Sequence, residues 1–339
     1  MKTILVPLKL DSPQDCSTTL LYALHLARLA DLQVVVFNAF SIDLESTVLY
    51  EDPKRMHELE KEKARELEER IHKMKNYCSS DIVLKFNSTV GMENDKLLQH
   101  PVTRSGFHTL LEHKDVLPQK AVNITCVCKS GAPYEQIMCA TAAYDADLIV
   151  MGMLETGVAG EPVIRSTTLS VMRHSRVPVI GVPKGRKFNG LKSVVYASDL
   201  LNVPEPVLLQ KLRDFVNAFR CRLHVLHLHQ NKDLKAEYAL AQNGLDMLDR
   251  ELYDVSFHVI FQQKEDLDAD VLEYVYEQKA DLLILSPNRH TFIEKLLNQS
   301  LTQRLMAKIF VPIMALPAAS FSAPGARPAQ AKSKKTDTF

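Results

Sequence analysis

The densest run of chemistry-bearing side chains is His224-Val225-Leu226-His227-Leu228-His229. On a strand, alternate residues share a face, so His227 and His229 lie together and His224 lies opposite. Two imidazoles on one face can ligate zinc with a carboxylate as third ligand. At the strand's carboxyl end His229 could line a ligand crevice, but the plainer reading, polar residues closing a strand, is favoured. Cys126 and Cys128 also stand two apart and share a face; they read as core thiols before they read as half a metal site. The six cysteines (Cys16, Cys78, Cys126, Cys128, Cys139 and Cys221) show no CxxC spacing, so reduced thiols are expected. No GxxxxGK[ST] phosphate loop, GxSxG nucleophile turn or HExxH metal pair occurs. No catalytic residue and no metal site are assigned, and the expectation is a protein that is not an enzyme.

These residues must be held by more than one core. A chain of 339 residues suits two domains of about 150 residues each. Lys plus Arg and Asp plus Glu are equal at 41 each, which argues against nucleic acid, a ligand met by basic excess. The opening Met1-Lys2-Thr3-Ile4-Leu5-Val6-Pro7 is too short an apolar run for a signal peptide. No stretch approaches the roughly 18 apolar residues of a membrane span. A cytoplasmic protein with no membrane partner is expected.

The chain repeats itself. Residues 147 to 183 lie over 281 to 317 without a gap, a shift of 134 (from Asp147 to Asp281), with identities at Asp147/Asp281, Ser166/Ser300, Thr168/Thr302, Met172/Met306 and Pro178/Pro312. Residues 4 to 9 lie over 194 to 199 at a shift of 190 (from Ile4 to Val194). The 56-residue difference places extra sequence in the first half, at about 75 to 120, where turn residues cluster without a downstream counterpart.

Short Val/Ile/Leu runs predict strands at 2–8, 32–38, 122–128, 147–152 and 177–182, and again at 192–197, 222–228, 254–262, 281–285 and 310–316. Apolar spacing of three and four at 17–30 and 268–279 predicts helices between them. Strand and helix in alternation give a parallel sheet with helices on both faces, a doubly wound α/β unit, twice. Residues 52–75 read as an exposed helix with Glu60 and Glu62 three before Lys63 and Arg65. The division expected is a first domain at 1–184 with its insert, a linker at 183–190, a second domain at 191–317 and a disordered tail at 318–339.

The block ADLIVMG, a polar loop and STTLSVMRHSRVPVIGVP, preceded by ILVP, resembles the universal stress protein family. VVYASDL, ADLLILS and QSLTQRLMAKIFVPIMALP carry the likeness through the second half. The resemblance implies a five-stranded parallel sheet of the adenine nucleotide alpha hydrolase type in each unit, two units paired as a pseudo-dimer, and a role in surviving stress. Some members bind ATP through G-x2-G-x9-G-[ST] after the fourth strand; others lack the motif.

Glycines there let backbone N–H groups reach phosphate oxygens. In the first half the matching positions are Gly152, Glu155, Arg165 and Ser166, so one glycine and the hydroxyl survive and Glu155 adds repulsion. In the second half they are Ser286, Arg289, Gln299 and Ser300, with no glycine. Arg289 can hold an anion through its side chain. The family's acidic residue at the end of the first strand falls on Lys9 and on Asp199, the latter following Ser198. Asp199, Ser300 and Thr302 make the second half the better candidate; Thr168 is the first-half match of Thr302. Ser166 and Ser300 are explained as well by capping of the helices that follow. Lys9 and Arg165 together can select a small anion.

No cofactor is expected, with ATP or AMP as the alternative. The leading expectation is a non-enzymatic stress-response protein acting through protein partners or as a homodimer. A nucleotide or small-anion sensor in the second-half crevice comes next, and an ATP-dependent enzyme third.

Overall fold

The computed structural model describes residues 1–9, 13–41, 52–78, 82–87, 121–156, 162–164, 166–201, 205–229, 233–263, 267–285 and 311–317. The tail at 318–339 and most of the 75–120 insert lie outside these residues.

Proline begins four of the helices, at the first helical position where its missing N–H costs nothing and its fixed φ is already helical. These are α1 (Pro13–Ala30), α2 (Pro53–Cys78), α3 (Pro133–Ala143) and α5 (Pro206–Phe219). The first half runs β1 (Thr3–Pro7), α1, β2 (Gln33–Phe40), α2, β3 (Leu84–Phe86), β4 (Val122–Ser130), α3, β5 (Leu148–Gly152), β6 (Leu154–Thr156), β7 (Pro162–Ile164), α4 (Ser166–His174) and β8 (Val179–Val182). The second runs β9 (Ser193–Ser198), α5, β10 (Arg222–His229), α6 (Leu234–Leu240), α7 (Gln242–Glu251), β11 (Phe257–Gln263), α8 (Leu267–Glu277), β12 (Leu282–Leu285) and β13 (Ile313–Ala315).

Eleven strands form one sheet in the order β11-β10-β9-β12-β13-β8-β5-β1-β2-β4-β3. Neighbours within each half are parallel. The halves join where β13 and β8 run antiparallel, Ile313 opposite Gly181, Met314 opposite Ile180 and Ala315 opposite Val179. At the repeat's shift of 134, Ile180 corresponds to Met314, so the local twofold passes through that pair. The backbone repeats as well: Asp31 and Arg220 take φ of 58° and 52°, and Asp145 and Lys279 take 44° and 48°, at matching turns.

The strands are apolar throughout because both faces are covered. On one face a single core runs through both halves, from Ile4 and Val6 to Val194 and Tyr196, under α1, α2, α5 and α7. On the other, α3 and α4 cover Leu5 and Ile149, while α8 covers Val195 and Leu283. No helix of the described residues is long and apolar enough to cross a membrane.

Two expectations need correction, and the linker adds a contact. The first half contributes six strands to the sheet, because Leu84–Phe86 pairs with β4 from within the supposed insert. Three residues are too few to show a period, and this strand shields an edge that would otherwise expose unpaired backbone groups. Glu60 does not pair with Lys63: it crosses to Lys129 Nζ at 2.6 Å, and Lys63 turns to Glu66 at 3.0 Å. The linker is packed against the fold, Phe188 stacking on His25 at 5.3 Å and meeting Tyr22 edge-on at 5.2 Å. Gly185 and Gly190, at φ of 73° and 106°, supply the left-handed turns that bring it there.

Candidate functional site

In a doubly wound sheet the crevice opens at the carboxyl ends of the strands, where the strand order reverses. In the second half that point is β9, flanked by β10 and β12. Ser198 ends β9 and Asp199 follows it. Ser198 is buried, and its Oγ has no hydrogen-bond partner among the described residues. Asp199 is half-buried, and its Oδ1 accepts from the Leu201 N–H at 3.2 Å.

Directly across from Ser198 in the register stands His227. Its Nδ1 accepts from the Leu200 N–H at 3.2 Å, which leaves the ring proton on Nε2, and Nε2 donates to Glu237 Oε1 at 3.0 Å. His227 is 1% exposed and Glu237 4%. Helix α6 delivers Glu237, and Asp233 caps that helix by accepting from the N–H groups of Lys235 and Ala236 at 2.9 and 3.4 Å. Phe261 meets the His227 ring edge-on at 5.2 Å, and His229 stacks beside it at 6.2 Å. Behind the Leu200 turn lies Gly244 of α7, where an added Cβ would stand 2.3 Å from the Leu200 carbonyl oxygen. The protein's own side chains therefore fill this flank of the crevice.

The first half is arranged alike with different residues. Val34 pairs with Ile4 as Leu223 pairs with Val194, which puts Asn38 in the place of His227. Buried Asn38 donates from Nδ2 to the Leu8 carbonyl at 2.8 Å, so in each half a polar residue of the second strand ties down the turn after the first. Lys9 is exposed beyond β1.

After β5 the described residues turn inward and then pair with one another. Met153, 1% exposed, inserts into the second half's core beside Val195 and Ile313, and β6 and β7 then pair as an antiparallel hairpin with Glu155 opposite Val163. Gly152 is half-buried, and its carbonyl accepts from the Thr168 hydroxyl at 2.9 Å. Thr168 is 1% exposed, so its proton is committed to the loop. Ser166 is the first residue of α4 and is exposed. Gly157, Gly160, Arg165, Ser286, Arg289, Ser300 and Thr302 lie outside the described residues. Of the residues singled out from sequence, the structure brings Ser198 and Asp199 together with His227, and joins Gly152 to Thr168.

His224 faces the other side of β10, where its Nδ1 and the Tyr274 hydroxyl share a hydrogen bond at 3.2 Å. Burial, then the nearby His258 and Arg222, holds it below the usual histidine range. Cys126 and Cys128 share the face under α2; burial pushes both thiols up, Cys128 to about 12. No group of three His, Cys, Asp or Glu among the described residues is arranged to hold a metal.

Two polar features escaped the sequence reading. Glu237 gave no signal, being one acid in a polar helix whose partner lies ten residues earlier on a strand. The repeat's identical acids were visible without their role. Asp147 accepts from the N–H groups of Lys2 and Thr3 at 2.5 and 3.1 Å, and Asp281 from those of Lys192 and Ser193 at 2.7 and 3.1 Å. Both clamp the start of the half's first strand, at the end of the sheet opposite the crevice.

Residues 1–183 match the model of the universal stress protein family. Among solved structures, a universal stress protein from Archaeoglobus fulgidus DSM 4304 is similar at a TM-score of 0.53, with 14% identity over 93% of this chain and 96% of that one. A functionally unknown protein from Pseudomonas aeruginosa PAO1 is similar at a TM-score of 0.49, with 11% identity over 94% and 92%. The first of these likenesses concerns the fold. No curated protein matches.

Proposed function

Because the chain belongs to the universal stress protein family, it is a stress-response protein of that type, and we propose that it acts without catalysis, through protein partners or self-association. The observation that carries this reading is that, among the described residues, the protein's own side chains fill one flank of the second-half crevice. The buried His227–Glu237 pair occupies the flank beside Asp199. In the first half, Glu155 of the hairpin stands where ATP-binding relatives would keep their second glycine, and Met153 before it is drawn into the neighbouring core. A backbone cradle for phosphate needs free N–H groups at the mouth of a helix; a loop whose second residue is drawn into the neighbouring core offers a poor start for one. The buried thiols of Cys126, Cys128 and Cys221 support a reducing compartment, and we assign the protein to the cytoplasm. The equality of acidic and basic residues supports protein partners over nucleic acid.

A second reading keeps one specific observation. Ser198, with a buried hydroxyl that finds no acceptor among the described residues, sits beside Asp199 at the point where strand order reverses. A ribose or a small anion held there would make the second half a sensor.

Phosphate release from ATP tests the non-enzymatic claim. The expected result is a rate indistinguishable from the blank. Turnover that disappears in Asp199→Ala would establish an enzyme working through the second half.

A further inference from the structure

A cleft of about 330 Å³ opens at the amino ends of β12 and β13, far along the strands from Asp199. The linker forms one wall through Arg186 and Asn189; α8 and its following turn form the other through Leu272, Val275 and Lys279, and Ile313 lines it from β13. The volume falls in the range of small-molecule sites, and the lining has their character, an apolar body with a few polar groups converging on it.

We propose that this cleft binds a small amphipathic anion, a monocarboxylate with an aliphatic or aryl body. Three observations carry the inference. Arg186 brings a guanidinium whose Nε is buried without a hydrogen-bond partner among the described residues. A carboxylate is the group a guanidinium fork fits, with two parallel hydrogen bonds. Lys279 adds a second positive charge; it is exposed and held in a left-handed turn at φ of 48°. The acid in the wall, Asp281, has its Oδ2 tied to two backbone N–H groups and stands as one negative charge against the two positive charges of Arg186 and Lys279. The local balance of charge therefore favours an anion, while Leu272, Val275 and Ile313 accept an apolar tail. Tyr276, 81% exposed, stands at the rim. Since one wall is the connection between the halves, an occupant would fasten that connection to α8. The site owes nothing to the crevice at the opposite end of the sheet and stands or falls separately from the function proposed above.

Octanoate and its neutral isostere octanamide are titrated into the full chain, with binding followed by ligand-observed saturation-transfer NMR and calorimetry. The expected result is that octanoate binds roughly tenfold or more tightly than the amide, the difference expected of a charge-assisted pair. Arg186→Gln removes most of that difference while leaving the amide unchanged, Lys279→Gln weakens octanoate by a smaller factor, and Val275→Trp fills the cleft and abolishes both. Melting curves confirm that each variant folds; if Val275→Trp does not, the two charge variants decide. Octanoate that fails to bind at about 10 mM, the weak end of specific affinities, overturns the proposal. So does equal affinity for acid and amide, or binding that Arg186→Gln leaves untouched.

Discussion

Replacing Gly244 by alanine turns the close packing of α7 into a question of sign. In an exposed helix interior, Gly→Ala stabilises by about 1 kcal/mol because glycine loses more backbone entropy on folding. Here the new Cβ would stand 2.3 Å from the Leu200 carbonyl oxygen and 3.0 Å from its carbonyl carbon and Cα. Both sides of that contact are backbone, so no side chain can swing away. Relief requires α7 to move off the turn, yet buried Leu248 and Leu252 fasten this helix to the common core. Overpacking of this kind costs about 1–3 kcal/mol, and an overlap this deep belongs at the upper end. The net expectation is a destabilisation of about 1–2 kcal/mol after the helix gain is subtracted. Urea unfolding followed by circular dichroism measures it as a lower midpoint. Hydrogen exchange adds a local readout, since the Leu200 amide should lose protection as its bond to His227 loosens. A variant as stable as the parent or more so, with Leu200 still protected, would refute the packing described for this turn.

Other outcomes follow from the same geometry. Glu237→Ala leaves the His227 Nε2–H buried without an acceptor and should cost about 2 kcal/mol, while Glu237→Gln, which keeps an acceptor oxygen, should cost less; equal losses in thermal melts would count against the pair. Pulsed alkylation of the native protein, read by mass spectrometry, should label exposed Cys139 well before Cys126, Cys128 and Cys221, since burial pushes the Cys128 and Cys221 thiols to about 12 and Cys126 higher still. His224 gives the pH dependence. Its folded value lies below the ordinary 6.5, so the unfolded chain binds the proton first as pH falls. The stability it contributes is complete above 6.5 and is lost as pH drops through the folded value. Thermal midpoints should therefore fall less steeply on acidification in His224→Gln, which still offers Tyr274 a hydrogen-bond partner, than in the parent.

Much of this architecture was legible because a strand covered on both faces must be apolar along its length. Ile4-Leu5-Val6 and Val194-Val195-Tyr196 could therefore be read as β1 and β9 without a structure, and the two shifts of the repeat set the halves side by side. What stayed hidden depended on contacts between distant residues. Leu84–Phe86 is a strand only because β4 offers it an edge. The segment after Gly152 read as a polar loop; that Met153 is drawn into the other half's core follows from the pairing of β8 with β13, which no local pattern encodes. At the crevice, Ser198 and Asp199 were placed correctly at the end of β9 by alignment with Lys9. Glu237 was not found, since its significance arises when α6 folds over His227. The identical Asp147 and Asp281 showed the opposite limit: a repeated acid was easy to see, but its work lies in holding strand ends together and not in binding.

The central claim, that this universal stress protein works without a nucleotide, is tested most directly by calorimetric titration of the full chain with ATP and AMP, alongside Asp199→Ala. The account predicts no heat of binding at millimolar nucleotide for either protein. Micromolar binding by the parent that Asp199→Ala abolishes would contradict it and make the second-half crevice a nucleotide site.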